Sequence, residues 1–356
     1  MTDTPYLRID VECLDRNIAA VAHRADELGL TVRPHAKTHK CAAIARRQLD
    51  AGAAGLTVAT IGEAEAFADA LGPAAPDLFI AYPLWLTDHK SARLRALADR
   101  ARMRLAIDSV AGARQLADRL GDADVEVVVE VDSGQHRTGV APDDAGELAR
   151  QATDLGLQVI GVFTFPGHGY GPGDARREAA GDEAQALTRA AERLQDNGID
   201  PVVRSGGSTP TIGFASSGVL TEIRPGVYPF NDAQQLELGS CTADDIALTA
   251  IATVVHRSGT RIVTDAGSKI LGADRPAWTS GFGRLRHAPD ARVTSLSEHH
   301  AVIEFPADSP TDAIPDVGST VAMVPNHVCT AVNLVDELVV SDSGTAWPVV
   351  ARGANS

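Results

Sequence analysis

The sequence predicts an α/β TIM barrel followed by a second, mainly β domain. Two observations predict it: eight short apolar runs alternate with longer amphipathic stretches up to Gly226, and beyond Gly226 the texture changes to β-like segments joined by turns. Size agrees, since 356 residues with 44% hydrophobic side chains can bury a large core, and one barrel absorbs about 250 residues.

The elements follow in order. After Thr4 and Pro5 comes the apolar run Tyr6–Ile9, which could extend either sheet and is grouped here with the β domain. Residues 14–28 carry apolar positions at helical spacing and stop before Gly29, and residues 30–32 form the first barrel strand. Residues 40–51 read as a helix and 55–58 as the second strand. Residues 78–81, 103–107, 125–131 and 158–163 are further strands, with helix-like stretches such as 111–120 and 183–197 between them. Residues 201–204 and 222–224 complete the eight. The β-like segments beyond are 246–256, 260–264, 293–297, 301–304, 320–324 and 337–340. The expected domains are a barrel over 10–235 and a β domain formed by 1–9 with 236–356.

The formal charge of −15, from 32 Lys and Arg against 47 Asp and Glu, argues against a nucleic-acid or anionic-membrane surface. One basic pocket for a phosphate stays compatible with it. Four cysteines, Cys13, Cys41, Cys241 and Cys329, are too few for a disulfide scaffold and point to a reducing compartment. With neither a signal-like start nor 18 uninterrupted apolar residues, the expectation is a soluble, cytoplasmic protein.

Three constellations carry chemistry. RPHAKTHK ends the first barrel strand, where a lysine can point into the mouth of a barrel; neighbouring positive charge and desolvation would favour its neutral, nucleophilic amine. A basic loop facing solvent is the plainer alternative. RSGGSTPT follows the seventh strand, where glycines let backbone amides turn toward an anion and Ser208, Thr209 and Thr211 offer hydroxyls; the alternative is an ordinary polar turn. In PNHVC, residues two apart on an extended segment share a face, so His327 and Cys329 could converge on one ion, zinc suiting the mixed N/S pair. A satisfied histidine beside a buried thiol is the alternative. Glu130, Asp132, Gln135, His136 and Arg137 follow the fifth strand, His168 the sixth, and Tyr228, Asn231 and Asp232 the eighth, all suited to a barrel mouth and equally to structural hydrogen bonding. Neither GxGxxG nor a Walker motif is present.

PHAKTHK, EVDSGQHRTGV, GGSTPT, EIRPGVYPFND and PNHVC, in this order, resemble the fold-type III pyridoxal-phosphate enzymes of the D-serine dehydratase and D-threonine aldolase family. The resemblance spans nearly the whole chain, from an alanine-racemase-like barrel to a D-serine-dehydratase-like β domain. It implies that Lys37 is the catalytic, cofactor-linked lysine, that Arg137 with His136 beside it lies near the cofactor, and that Gly206, Gly207, Ser208 and Thr209 hold its phosphate. Tyr228 is a further cofactor-pocket residue on the same grounds. His327 and Cys329 would bind a divalent metal, zinc or alternatively manganese, near the substrate's β-hydroxyl. A His/Cys pair resembles the zinc-dependent dehydratases, whereas the D-threonine aldolase pattern resembles His/Asp.

The expected function is that of a lyase using pyridoxal 5'-phosphate and a divalent metal on small β-hydroxy D-amino acids, D-serine giving pyruvate and ammonia. Aldol cleavage of D-threonine to glycine and acetaldehyde, amino-acid racemisation, and non-catalytic pyridoxal-phosphate binding are the alternatives. Related enzymes suggest a homodimer, with no nucleic-acid or membrane partner.

Overall fold

The computed structural model describes residues 3–72 and 77–356. Contacts divide the chain into two compact units: a barrel unit of residues 20–37, 44–226 and 353–356, and a β unit of residues 1–19, 38–43 and 227–352.

The chain opens with β1 (Tyr6–Ile9) and α1 (Val11–Leu28). Eight parallel strands then build the barrel sheet: β2 (Thr31–Val32), β3 (Gly55–Val58), β4 (Asp77–Pro83), β5 (Met103–Ile107), β6 (Val125–Glu130), β7 (Gln158–Phe163), β8 (Val203–Gly206) and β9 (Glu222–Ile223). Between them run α2 (Ala42–Asp50), α3 (Ile61–Leu71), α4 (Asp88–Ala98), α5 (Val110–Leu120), α6 (Ala145–Asp154) and α7 (Ala175–Asp196). The strand order is β2-β9-β8-β7-β6-β5-β4-β3. Closure between β2 and β3 comes from a parallel bridge pairing His35 with Thr57. Thr60, Thr87 and Ser109 start α3, α4 and α5 by accepting the amide hydrogens of Glu63, Lys90 and Gly112 at 3.0, 3.2 and 3.1 Å, which satisfies donors the helix itself leaves open.

Along each barrel strand alternate residues face inward, and the inward sets form three layers. The lowest is ionic. Arg33, 1% exposed, donates to Glu222 Oε2 at 2.6 Å and Asp77 Oδ2 at 3.0 Å. Arg104 reaches Asp77 at 2.7 Å, Glu126 at 3.0 Å and Glu222 at 3.5 Å, and Arg102 pairs with Glu126 from the outside. Burial alone would lower the Arg33 pKa, but Glu222 and Asp77 outweigh it and hold the guanidinium charged. A Cβ on Gly55 would overlap Arg33 Nη1 and the Asp77 carbonyl, so the glycine makes room for this ring. Above it lie Phe79, Ala106, Val128, Ile160 and Phe163, with Phe79 and Phe163 edge to face at 5.0 Å. The third layer is the barrel mouth.

The β unit holds β1 and the remaining strands, β10 (Leu248–Ser258), β11 (Arg261–Thr264), β12 (Gly283–Leu285), β13 (Ala288–Leu296), β14 (Ala301–Glu304), β15 (Thr320–Pro325), β16 (Glu337–Val340) and β17 (Ala346–Pro348). In their order, β11-β14-β13-β12-β15-β10-β1-β16-β17, the six strands from β11 to β10 close into a ring because β10 also pairs with β11, and β1, β16 and β17 extend from it. Helices α8 (Ala233–Leu238), α9 (Ser268–Leu271) and α10 (Val328–Asn333) complete the unit. The Tyr6–Ile9 run joins this sheet, antiparallel to β10 and parallel to β16.

Three expectations are corrected. The seventh barrel strand occupies Val203–Gly206 and not 201–204, because Pro201 has no amide hydrogen for a parallel ladder and the first pairing is Gly161 with Val203. Helix α7 starts at Ala175, earlier than residue 183, since the polar sequence ahead of Glu183 hides its alanine face. His327 and Cys329 do not lie on an extended segment: β15 ends at Pro325, and Cys329 sits in the first turn of α10 with His327 as its N-cap. No helix among the described residues is long and apolar enough to cross a membrane.

Removing one member of the ionic layer leaves its partners charged and buried. Arg33→Met is expected to lower the unfolding free energy by about 3–5 kcal/mol, read as a urea midpoint displaced to lower concentration; an unchanged midpoint contradicts the interlocked ring.

Candidate active site

Lys37 follows β2 in a single 3-10 turn, Ala36–Thr38. The segment before it is tied on both sides. The His35 amide donates to the Pro225 carbonyl at 2.9 Å, and the Thr57 amide and hydroxyl bond the Pro34 and Arg33 carbonyls at 2.9 and 3.0 Å. With Arg33 in the lowest layer, the alternation carries His35 up the same inner face, and the 3-10 turn delivers Lys37 to the cavity beside it.

Both line a cavity of about 220 Å³ at the barrel mouth, with Ala59, Ala81, Tyr82, Arg137, Thr138, Phe165 and Arg224. Lys37 Nζ lies 5.9 Å and Arg137 Cζ 5.6 Å from the centre of the Phe165 ring, so one aromatic face serves two cations. The lining holds three basic side chains and no acidic one in a chain of formal charge −15. Such a pocket selects an anion. The chain has four lysines, Lys37, Lys40, Lys90 and Lys269, and Lys37 is the one in this lining. Lys40 Nζ instead bonds Asn333 Oδ1 at 2.7 Å within the β unit.

Arg224 forms the floor between the Phe79 and Phe163 rings, 5.7 and 5.1 Å from their centres. It bonds the Ser205 hydroxyl at 2.5 Å and the Thr164 carbonyl. Burial lowers its pKa to about 10 against the opposing pull of Glu222, Glu183 and Glu130, so it remains a cation at neutral pH. Glu130, 3% exposed, accepts from the Thr138 hydroxyl at 2.8 Å through Oε1. Its Oε2 finds no hydrogen-bond partner among the described residues, and burial raises its pKa.

The glycine-rich stretch is tightly built. Gly206, Gly207 and Ser208 are buried and Thr209 is half-buried. Ser208 and Thr211 cap the following 3-10 turn reciprocally, with the Ser208 amide donating to Thr211 Oγ1 at 2.9 Å. From α7, the buried Glu183 accepts the Gly207 amide hydrogen at 2.6 Å. A Cβ on Gly206 would overlap Glu183 Oε1, and Gly207 has a φ of +79°, so both positions need glycine.

Of the sequence-derived set, then, the structure brings Lys37 and Arg137 to one cavity, and builds Gly206 to Thr209 as a constrained turn. His136 is turned to solvent, its side chain 82% exposed and its Nδ1 2.8 Å from Asp132 Oδ2. Tyr228 is buried in the β unit. In that same unit the Cys329 thiol faces the His327 ring, and burial, which alone would lower the His327 pKa, is outweighed by Cys329 and Asp232, holding it well above 6.5. Cys329 Sγ also donates to Thr38 Oγ1 at 3.3 Å. No cluster of three or more His, Cys, Asp or Glu is gathered for a metal among the described residues, so an ion here would rest on one N and one S donor and keep other positions open. Sequence reasoning missed Tyr82, Phe165, Arg224 as a floor residue, and Glu183. Residues at strand ends were the available signal for the first three; a glutamate on an alanine-rich helix face gives none.

For the lysine cavity, the residues fit pyridoxal phosphate: one lysine, cations without carboxylates in the lining, and an aromatic wall for a planar ring. Comparison with known proteins agrees. Residues 9–233 match the model for the alanine racemase N-terminal domain, and residues 247–341 match a serine dehydratase domain. D-threo-3-hydroxyaspartate dehydratase of Delftia sp. (strain HT23) is 35% identical over 92% of this chain and 91% of its own. D-threonine aldolase of Arthrobacter sp is 32% identical over 99% of this chain and 93% of its own. A solved cysteine-to-alanine variant of D-threo-3-hydroxyaspartate dehydratase, in the metal-free form, superposes with a TM-score of 0.89 at 31% identity, covering 98% of this chain and 97% of that one.

Glu183 supplies a pH test of this geometry. Burial lifts it from 4.5 to about 7, against the Gly207 amide and Arg224. Its neutral form is therefore favoured in the fold, and the stabilisation present below about pH 4.5 is lost as pH rises through about 7. Relative to Glu183→Gln, the wild type is expected to lose unfolding free energy across that window; a difference independent of pH in denaturant titrations contradicts the buried acid.

Proposed function

The chain belongs to the alanine-racemase superfamily of fold-type III pyridoxal-phosphate enzymes, among relatives of D-serine dehydratase and D-threonine aldolase, and from that premise we propose that it dehydrates a small β-hydroxy D-amino acid. It is a pyridoxal-phosphate-dependent lyase of the dehydratase and aldolase kind acting on small D-amino or hydroxy acids. The choice of bond broken is the proposal, with D-serine as the favoured substrate and pyruvate and ammonia as products.

The observation that carries it is the placement of His327 and Cys329 two residues apart at the start of α10. Solved forms of D-threo-3-hydroxyaspartate dehydratase include a cysteine variant without metal and a histidine variant, at positions two apart in that chain, which is the spacing of this pair. The donor set suits zinc, with manganese the alternative. Held there, the ion would polarise a hydroxyl oxygen and ease its departure.

Pyridoxal phosphate, when bound, supplies an electron sink for charge developing at the substrate's α-carbon. Lys37 Nζ is the group that would hold the cofactor, and its amine would serve as the base for the substrate's α-proton. Arg137, which lines the same cavity against Phe165, would help to hold the cofactor there. Arg224 and the Phe165 wall keep the floor positive and partly apolar. The Gly206 to Thr209 turn would receive the phosphate, and Glu183 keeps that turn in shape.

Aldol cleavage is the second reading, favoured by the 32% identity to D-threonine aldolase over nearly the whole chain. The same cavity would serve, with the Cα–Cβ bond broken in place of the Cβ–O bond. Incubation of the loaded enzyme with zinc or manganese and D-serine, D-threonine or β-hydroxyaspartate isomers separates the two. A keto acid with ammonia is expected; glycine with an aldehyde overturns dehydration. Lys37→Ala is expected to lose the visible absorbance of the bound cofactor and to lower turnover by at least about 100- to 10,000-fold, and retention of both contradicts the role of Lys37.

A further inference from the structure

Asp232 is a buried carboxylate with 0% exposure that the mechanism above leaves without a role. One of its oxygens, Oδ1, accepts the Gln235 amide hydrogen at 2.9 Å and so caps α8. The other, Oδ2, faces residues almost a hundred positions away: it lies 3.2 Å from His327 Nδ1 and accepts the Val328 amide hydrogen at 3.3 Å. All of these residues belong to the β unit.

The arrangement fixes more than a contact. A carboxylate only accepts hydrogen bonds, so the imidazole nitrogen facing it must carry hydrogen. That nitrogen is Nδ1. The lone pair of a neutral His327 ring is therefore left on Nε2, the nitrogen turned away from Asp232. Val328 adjoins His327 in sequence, so its bond to the same oxygen anchors the backbone as well as the ring. Histidines that bind metals commonly give their second N–H to a carboxylate, which orients the ring and raises its basicity.

We infer that Asp232 is a positioning residue for the divalent ion shared by His327 and Cys329, setting which His327 nitrogen is the ligand and the direction in which it points. The inference rests on the reading of His327 and Cys329 as metal ligands.

Asp232→Asn tests it with the helix cap kept. Asparagine caps helices as well as aspartate does, so α8 keeps its start through the carbonyl oxygen, but the group facing His327 Nδ1 and the Val328 amide becomes an NH2 donor. With its NH2 toward the ring, Nδ1 becomes the acceptor and the hydrogen moves to Nε2, where the ion should bind. Zinc affinity of the pyridoxal-phosphate-loaded protein, measured by competition with a chelator, is expected to fall about 10- to 100-fold in Asp232→Asn, with the cofactor absorbance unchanged and the thermal midpoint lowered only by the lost Val328 contact. His327→Ala is expected to abolish tight zinc binding. If His327→Ala weakens zinc and Asp232→Asn does not, the role of Asp232 is overturned while the metal reading stands. If the wild type binds zinc no more tightly than His327→Ala, the metal reading itself fails. Long-range 1H–15N spectra of zinc-loaded wild type give a test independent of how the variant folds: hydrogen on Nδ1 with Nε2 on the metal is expected, and the reverse tautomer overturns the inference.

Discussion

The contact on which the rest of the barrel depends is the buried ion pair between Arg33 and Glu222, 2.6 Å apart. Arg33 leads into the loop that carries Lys37, and Glu222 begins the strand whose next inward residue is Arg224. Glu222 accepts from the Ser205 hydroxyl at 2.6 Å, and Ser205 accepts from Arg224. A continuous run of charged and hydroxyl groups thus links the lowest layer of the barrel to the floor of the cavity. Buried charges of this kind contribute little net stability, since desolvation offsets much of the attraction. What they fix is register. Neither Arg33 nor Glu222 can shift by one residue without leaving its partner charged and alone in the interior.

That constraint explains why so short a strand can position Lys37. β2 has two residues in its ladder, yet the segment from Arg33 to His35 is held by an interior ion pair, by β3 through Thr57 and by the Pro225 carbonyl. Lys37 enters the cavity two residues beyond a segment held on three sides. Charge then arranges the mouth. Lys37, Arg137 and Arg224 line it without a carboxylate, while the acids that act on Arg224, Glu222, Glu183 and Glu130, stay outside the lining.

Much of this was legible in the sequence, for identifiable reasons. Eight apolar runs marked the barrel because a parallel strand covered on both faces must be apolar nearly throughout, and β5 and β6 are buried at every position. Lys37 and Arg137 were legible because they sit at strand ends, where side chains reach the mouth. The ionic layer was not. Asp77, Arg104, Glu126 and Glu222 alternate with apolar neighbours, and period-two alternation carries no sign to say which set faces in. Nor was the turn at Pro325, since β-branched Val328 and polar Asn326 gave no helix signal and α10 has only six residues. His327 as N-cap and Cys329 as the second residue of α10 remain close in the chain although neither lies on a strand. His136 shows the opposite case. It adjoins Arg137, but a φ of +54° reverses the chain there and sends its ring outward to Asp132.

The central claim is that the lysine closing this stitched segment is the residue that carries the cofactor. Borohydride reduction of the loaded enzyme, which makes the attachment permanent, followed by peptide mass mapping addresses it directly. The account predicts the cofactor mass on the peptide containing Lys37. Its appearance on a peptide carrying Lys40, Lys90 or Lys269, or on no lysine, would contradict it.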